Sequence, residues 1–321
     1  MVADVGGSQP GTPSATAWLG VQHVAAGLQA KSSMTVPRSR SELSVAIGSA
    51  AASGASVVVT IGASAASATR SAAMANPSVE FFTLDQAATA DAPPNLHAIV
   101  FDEAEMGYLA GMIAEALSRA GSIGLVGDDT SVATGNYAAG LRNGALFDNP
   151  AAIVGSANAG TPDDPAKGRA AAATLAAGDA DVIVATSGLT GIGAMREACA
   201  RNDLVVALGA DAWQLVPDIH ACLAVSVRKL YDVAIEAAIR AYAEGADVPE
   251  TILSDVAAGG IALSDFHVAE PPALASELER VLGDMRAGPP RPTAPPPTAI
   301  PTATPSVEPS PSPSPARPSQ S

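Results

Sequence analysis

Acidic side chains follow several apolar, β-rich runs of this chain: Asp4, Asp85, Asp102 with Glu103, Asp128 and Asp211. A carboxylate in such a place can accept paired hydroxyl hydrogens or balance a cationic group, and it repels a phosphate. Neighbouring turns are Gly-rich, 6–14 (GGSQPGTPS) and 187–193 (SGLTGIG), and one turn carries a basic pair, Arg228 and Lys229. This set suits a neutral, hydroxyl-rich or cationic ligand better than a phosphate.

Each group also has a plain structural reading. The run GLTGIG at 188–193 has the dinucleotide spacing reversed, so a tight strand-to-helix turn explains it, and no Gly-Lys-Ser/Thr of a P-loop follows 6–11. Asp211 can be a helix N-cap, Asp85 a loop carboxylate, and Trp213 either a cleft-mouth ring or a core edge. Lys229 is placed in the first turn of a helix running to Glu244, where a cation opposes the macrodipole by about 0.3–1 kcal/mol at exposed sites; structure alone would prefer an acid there. The four histidines are scattered and no Cys/His spacing suggests a metal. No GxSxG elbow occurs, and neither a catalytic residue nor a cofactor is expected. Cys199 and Cys222 can be inert core thiols or one bridge.

The elements that must hold these groups alternate. Apolar runs at 57–61, 79–84, 97–101, 122–126, 181–185, 204–208 and 222–226 read as strands. Helices fit between: one through Trp18, Val21, Ala25 and Leu28, one behind the capping box Ser39 to Glu42, and one from Asp164-Pro165 to Gly178. That is a parallel sheet covered on both faces, with too many strands for one small nucleotide-binding unit. Two lobes follow, with a break after Phe101 and a return near Ser226. Only residues 2–5 precede the first Gly pair, too short for a buried strand, so the chain is expected to start inside an element. The opening residues lack the basic start and apolar core of a signal peptide.

Of the 26 prolines, 13 fall in residues 288–321, a Pro/Ser/Thr-rich stretch expected to be a disordered tail. The formal net charge of −15 argues against nucleic acid as a partner. No apolar run of membrane-spanning length occurs.

In order along the chain, these blocks resemble the basic membrane protein family, purine-nucleoside receptor lipoproteins of the PnrA type that serve as substrate-binding components of ABC importers. Asp4-Val-Gly-Gly7 with Trp18-Leu-Gly20 is similar to its DxGGxxDxSFNxxxWxG, and the segment 101–111 (FDEAEMGYLAG) to its FxEEExxYLAG. Segments 122–127, 164–168 (DPAKG), 188–191 (GLTG), 209–214 (GADAWQ) and 226–229 (SVRK) match further blocks. The resemblance implies an α/β type I periplasmic-binding-protein fold, two Rossmann-like lobes with parallel sheets joined by three hinge crossovers. The expected lobes are 1–103 plus 228–257 and 104–227 plus 258–287.

It further implies an extracytoplasmic solute-binding receptor, lipid-anchored or secreted, its anchor upstream of this sequence, working as a monomer with an ABC permease. The implied ligand is a nucleoside-like or other hydroxyl-rich small molecule. The implied ligand-binding residues are Asp4, Ser14, Asp102 or Glu103, Gly188, Asp211 and Lys229. The family's two base-stacking phenylalanines align with Pro13 and Pro162, the asparagine after the first with Ser14, and a second aspartate with Trp213. A ligand other than an ordinary purine nucleoside is therefore expected, with Trp213 as substitute stacking face. The alternatives are a degenerate paralogue acting as sensor or surface interaction protein, and a cleft enzyme.

Overall fold

The computed structural model describes residues 1–5, 7–87, 89–128 and 131–288. The tail expected at 288–321 therefore lies outside the described residues, apart from Gly288. Strands β1 (Val57–Ile61), β2 (Glu80–Leu84), β3 (Leu96–Phe101) and β9 (Thr251–Ser254) form a parallel sheet in the order β1-β2-β3-β9. A second sheet runs β10-β8-β7-β6-β4-β5, built from β4 (Ser122–Gly127), β5 (Ile153–Asn158), β6 (Val182–Thr186), β7 (Leu204–Gly209), β8 (Leu223–Lys229) and β10 (Ile261–Leu263). Its pairs are parallel except β10 with β8. Short β10 returns from the first sheet in the opposite sense, which corrects the expectation of wholly parallel sheets.

Helices cover both layers: α1 (Pro13–Gly27), α2 (Arg40–Ala52), α3 (Ala66–Ala75), α4 (Glu103–Leu117), α5 (Val132–Asp148), α6 (Pro165–Ala177), α7 (Leu189–Ala200), α8 (Ala212–Leu215), α9 (Tyr231–Ala243) and α10 (Pro272–Ala287). Their starts follow side-chain chemistry. Ser39 accepts from the Glu42 amide, while the Glu42 carboxylate accepts from the Arg38 amide, one residue earlier than a strict capping box. Asp164 accepts from the Ala166 and Lys167 amides, ahead of Pro165 at N1.

Val2 makes isolated parallel bridges to Thr35 and to Thr60 of β1. Lys229 is the last residue of β8, not a first-turn helix residue, because β10 extends the pairing past Ser226; α9 starts at Tyr231 and its first turn carries Asp232.

The main core is continuous between the sheets. Phe82, Leu84, Ile99 and Phe101 pack with Met106, Leu109 and Ile113 of α4, and these with Leu125, Val184, Val206 and Leu208 of the second sheet. Burial of this kind stabilises by roughly 25 cal/mol per Å² of apolar surface. Helices α4 and α5 cross at glycines: a Cβ at Gly107, Gly111, Gly140 or Gly144 would overlap backbone of the opposite helix.

Candidate functional site

Three chain segments pass between the sheets, and they meet. The first leaves β3 through Asp102 into α4, which packs on α5 and the second sheet. The second leaves β8 through Leu230 into α9, which packs on α1 and β2. The third runs from β9 through residues 255–260 to β10. Polar bonds stitch them together. Glu105, buried, accepts from the Val256 amide at 3.0 Å, and the Leu230 amide donates to the Gly260 carbonyl at 2.7 Å. Lys229 closes the third side by reaching Glu103.

Lys229 is only 8% exposed, and its ammonium donates to Asp85 Oδ1 at 2.7 Å and Glu103 Oε1 at 3.3 Å. The Tyr137 hydroxyl beside it donates to Met106 Sδ at 3.8 Å. The rings of Phe101 and Tyr137 stand 5.2 and 5.9 Å from Nζ, within cation–π range. Asp85 is oriented in turn, since Tyr231 donates to its Oδ2 at 2.6 Å. Burial pulls the ammonium toward neutrality, but Asp85, Tyr137, Tyr231 and Glu103 outweigh it and hold its pKa well above the usual lysine range. Burial pushes the Tyr137 phenol up to about 12 and, with Asp85 beside it, raises Tyr231 as well.

The other expected residues fall into separate groups. Asp4 lies beside the β1 exit: its Oδ1 accepts from Ser64 Oγ at 2.7 Å and from the Val5 amide, and its own amide donates to buried Ser14 Oγ at 3.1 Å. Gly62 leaves β1 at φ 86°, and a Cβ there would press on the Asp4 carboxylate. Asp102 caps α4 by accepting from the Glu105 amide. Gly188 caps α7 next to Pro162 and Asp128, and Asp128 accepts from Thr134 and Thr186.

Asp211 caps α8, accepts from the Trp213 amide and Gln214 Nε2, and pairs with Arg228 at 3.4 Å. Trp213 lies parallel to two imidazoles, His220 with centroid at 3.5 Å and His267 at 3.8 Å. Rings that close and that nearly parallel fit only on opposite faces of the indole. Both faces of the indole thus carry an imidazole in this arrangement, while Trp213 keeps 37% exposure.

The structure therefore brings together Lys229 with Glu103, Asp4 with Ser14, and Asp211 with Trp213. Between the sheet layers, the loop ahead of α1 touches α8 at Gly11, where a Cβ would meet the Leu215 amide, and Arg40 of α2 reaches Asp163 at 3.5 Å. Two cavities, of about 230 and 200 Å³, lie elsewhere, one beside α3 and the β2–β3 face, the other between α5 and the ends of β4 and β5. None of the expected site residues lines either one. Sequence reading missed Tyr137, Tyr231, Glu105 and the Arg228 pairing; the only available signal was Asp85 at a strand end. Among the described residues no group of three or more His, Cys, Asp or Glu is placed to hold a metal ion.

A family model described as ABC transporter substrate-binding protein PnrA-like matches residues 9–284. The chain belongs to that family. Among its relatives, it is 35% identical over 106 residues to basic membrane protein D of Borreliella burgdorferi, 33% of this chain and 31% of that one. It is 29% identical over 150 residues to basic membrane protein A of the same species, 46% of this chain and 44% of that protein. The matches thus span less than half the length of these relatives. Solved solute-binding proteins share the fold. The ABC transporter protein from Aeropyrum pernix K1 superposes with TM-score 0.68 at 22% identity, covering 89% of each chain. That from Conexibacter woesei DSM 14684 gives 0.71 at 21%, covering 89% of this chain and 95% of the other. The fold is of the type I periplasmic-binding-protein kind, two α/β lobes with mixed sheets.

Proposed function

We propose that the protein is an extracytoplasmic solute receptor of an ABC importer, taking a hydroxyl-rich small molecule, nucleoside-like or sugar-like, between its lobes. Membership of a substrate-binding family supports a binding role with no catalytic step. The observation that carries the reading is the junction itself. Three crossovers link two sheets whose carboxyl ends present Asp4 and Glu103 from one layer and Gly188 and Asp211 from the other. Ligands of open α/β sheets bind beyond strand carboxyl ends, and a hinge there converts binding into lobe closure.

Acceptors dominate this set. Arg228 is paired with Asp211 and Lys229 with Asp85 and Glu103, so the cationic groups at the junction are already balanced. The surplus favours ligand hydroxyls over an anion. The covered faces of Trp213, with Pro13 and Pro162 where the family resemblance expects aromatic rings, make a flat base the less favoured occupant.

An oxidising compartment fits the Cys199–Cys222 disulfide, whose Cα atoms are 5.4 Å apart. The proposed working form is a monomer that presents its closed state to a permease, held near the membrane by an anchor or secreted. Native mass spectrometry of protein purified from its own host, followed by calorimetric titration with nucleosides and free sugars, tests the reading. A co-purified polyol released on denaturation is expected. Recovery of no small molecule, with no titrant bound at millimolar concentration, sinks it.

A further inference from the structure

The receptor reading leaves one strand-end carboxylate without a role. Asp128 follows β4, the strand between β5 and β6 in the second sheet. Its Oδ1 accepts from Thr134 Oγ1 and its Oδ2 from Thr186 Oγ1, both at 3.2 Å. Thr186 ends β6 and Thr134 lies in the first turn of α5. Both oxygens are therefore held in place, and by neutral groups.

Charge sets Asp128 apart from its neighbours. Asp85 is balanced by Lys229 and Asp211 by Arg228. Among the described residues, Asp128 bonds only the two threonine hydroxyls. A carboxylate offers about four lone-pair sites, so each oxygen keeps capacity for a further donor. The residue is half-buried, which makes an unbalanced charge costly. Bonding the two hydroxyls does not require that charge, since an asparagine could pair with both.

The carboxylate also lies where a solute would pass. A Cβ at Gly188 would stand 4.0 Å from Asp128 Oδ2 and 3.4 Å from the Pro162 carbonyl oxygen, so the missing side chain leaves that side of the acid open. Asp163, next to Pro162, meets Arg40 of α2 at 3.5 Å, and α2 packs on β1 of the first sheet. The corner formed by Asp128, Pro162 and Gly188 is thus on the side of the second layer that meets the first.

We propose that Asp128 is a specificity residue of the receptor site and that it recognises an ammonium: the solute is a hydroxylated molecule bearing an amine, of the amino-sugar or aminonucleoside class. A hydroxyl would meet the hydrogen-bonding capacity of the carboxylate. An ammonium meets its charge as well. The inference deepens the receptor reading and rests on it.

Calorimetric titration of the full chain with matched pairs tests the idea, in slightly acidic buffer that keeps the amines protonated. The pairs are D-glucosamine against D-glucose, and puromycin aminonucleoside against its hydroxyl analogue. The amine member should bind at least about tenfold tighter, as an added ion pair in a partly buried site would give. Asp128→Asn should abolish that preference while leaving the affinity for the neutral member and the melting point nearly unchanged. Thr186→Val, which acts only through the carboxylate, should reduce the preference in part. Any solute that co-purifies should gain mass with an amine-acylating reagent.

The proposal fails, and the receptor reading stands, if the parent binds neutral members as tightly as amines, if Asp128→Asn keeps the preference, or if a co-purified solute carries no amine. Should Asp128→Asn not fold, the preference of the parent and its reduction in Thr186→Val still decide. A parent that binds none of the four titrants and releases no small molecule on denaturation sinks the receptor reading itself, and this inference with it.

Discussion

Tyr231 Oη lies 2.6 Å from Asp85 Oδ2, joining the first residue of α9 to the turn after β2 across 146 positions of sequence. Asp85 accepts from Lys229 with its other oxygen and holds a left-handed φ of 57°. Both demands point to one residue type. Asp85→Ala should cost about 3–5 kcal/mol, since it strips the main anionic partner from a buried ammonium and places Cβ chemistry without a polar tip in the left-handed region. Asp85→Asn, which keeps the acceptor and tolerates that φ, should cost clearly less. Urea unfolding of the two variants beside the parent checks the order; equal losses would show that charge and backbone preference are irrelevant there.

Gly144 of α5 faces the Tyr108 carbonyl of α4, and Gly111 of α4 faces that of Leu141, with no room for a side chain at either place. The helix carrying Glu103 is therefore set by backbone contact. Gly144→Ala should force the helices apart at a cost of roughly 1–3 kcal/mol or more. Gly135, one turn into the same helix with open space around it, serves as the control. Gly135→Ala should be neutral or slightly stabilising by helix propensity. Thermal melts of the pair give the answer, and similar melting points would rule out the close approach.

Much of the frame was legible because central strands of a two-layer α/β protein are buried on both faces and read as unbroken apolar runs. The stretches around Val57, Phe82, Ile99, Leu125, Val184, Val206 and Val225 all become strands. Strand β5 escaped notice because it is an edge, with exposed positions and the polar sequence IVGSAN. Strands β9 and β10 are four and three residues long, and partners distant in sequence define them. Lys229 was placed in a helix for the same reason: nothing local shows that β10 would pair with Arg228 and Lys229. The site divided likewise. Carboxylates at strand ends were visible one by one, whereas Tyr137 and Tyr231 join Lys229 only through the tertiary fold.

The disulfide joins Cys199, in the last turn of α7, to Cys222, just ahead of β8. The other ends of these elements carry Gly188 and Lys229. The bridge closes a loop of 23 residues, for which the chain-entropy relation gives about 3 kcal/mol. Reduction, or the double change Cys199→Ser with Cys222→Ser, should lower unfolding free energy by about that amount. Denaturant curves with and without reductant measure it, and coincident curves would mean the bridge constrains nothing.

Trp213 between His220 and His267 bears on how Asp211 is held, because the Trp213 amide donates to the Asp211 carboxylate. His220 Nε2 also meets the Trp213 carbonyl at 2.7 Å. Each stacked pair should contribute about 0.5–1.5 kcal/mol beyond its buried area. Trp213→Ala should lower stability by more than one pair's worth, and His220→Ala made in that background should add little. A Trp213→Ala protein as stable as the parent, with weakened binding of an aromatic solute alone, would return the indole to the ligand.

The Lys229 cluster also sets an alkaline limit. The ammonium and the phenols of Tyr137 and Tyr231 all have folded-state pKa values above their ordinary ones, so all three are held protonated by the fold. A group raised in this way contributes fully below its unfolded pKa and loses that contribution as pH climbs through the folded value. Ordinary tyrosine and lysine titrate near about 10 and 10.4, so the contribution should be flat from about pH 7 to about pH 9 and fall beyond about pH 10. Tyr231→Phe removes one of the three protons and should make that alkaline fall shallower than the parent's, whereas Arg40→Ala, at the exposed pair with Asp163, should leave its slope unchanged. Chemical unfolding repeated across this range measures both slopes. A decline already under way at pH 8, or one that Tyr231→Phe does not alter, would place the proton loss outside the cluster.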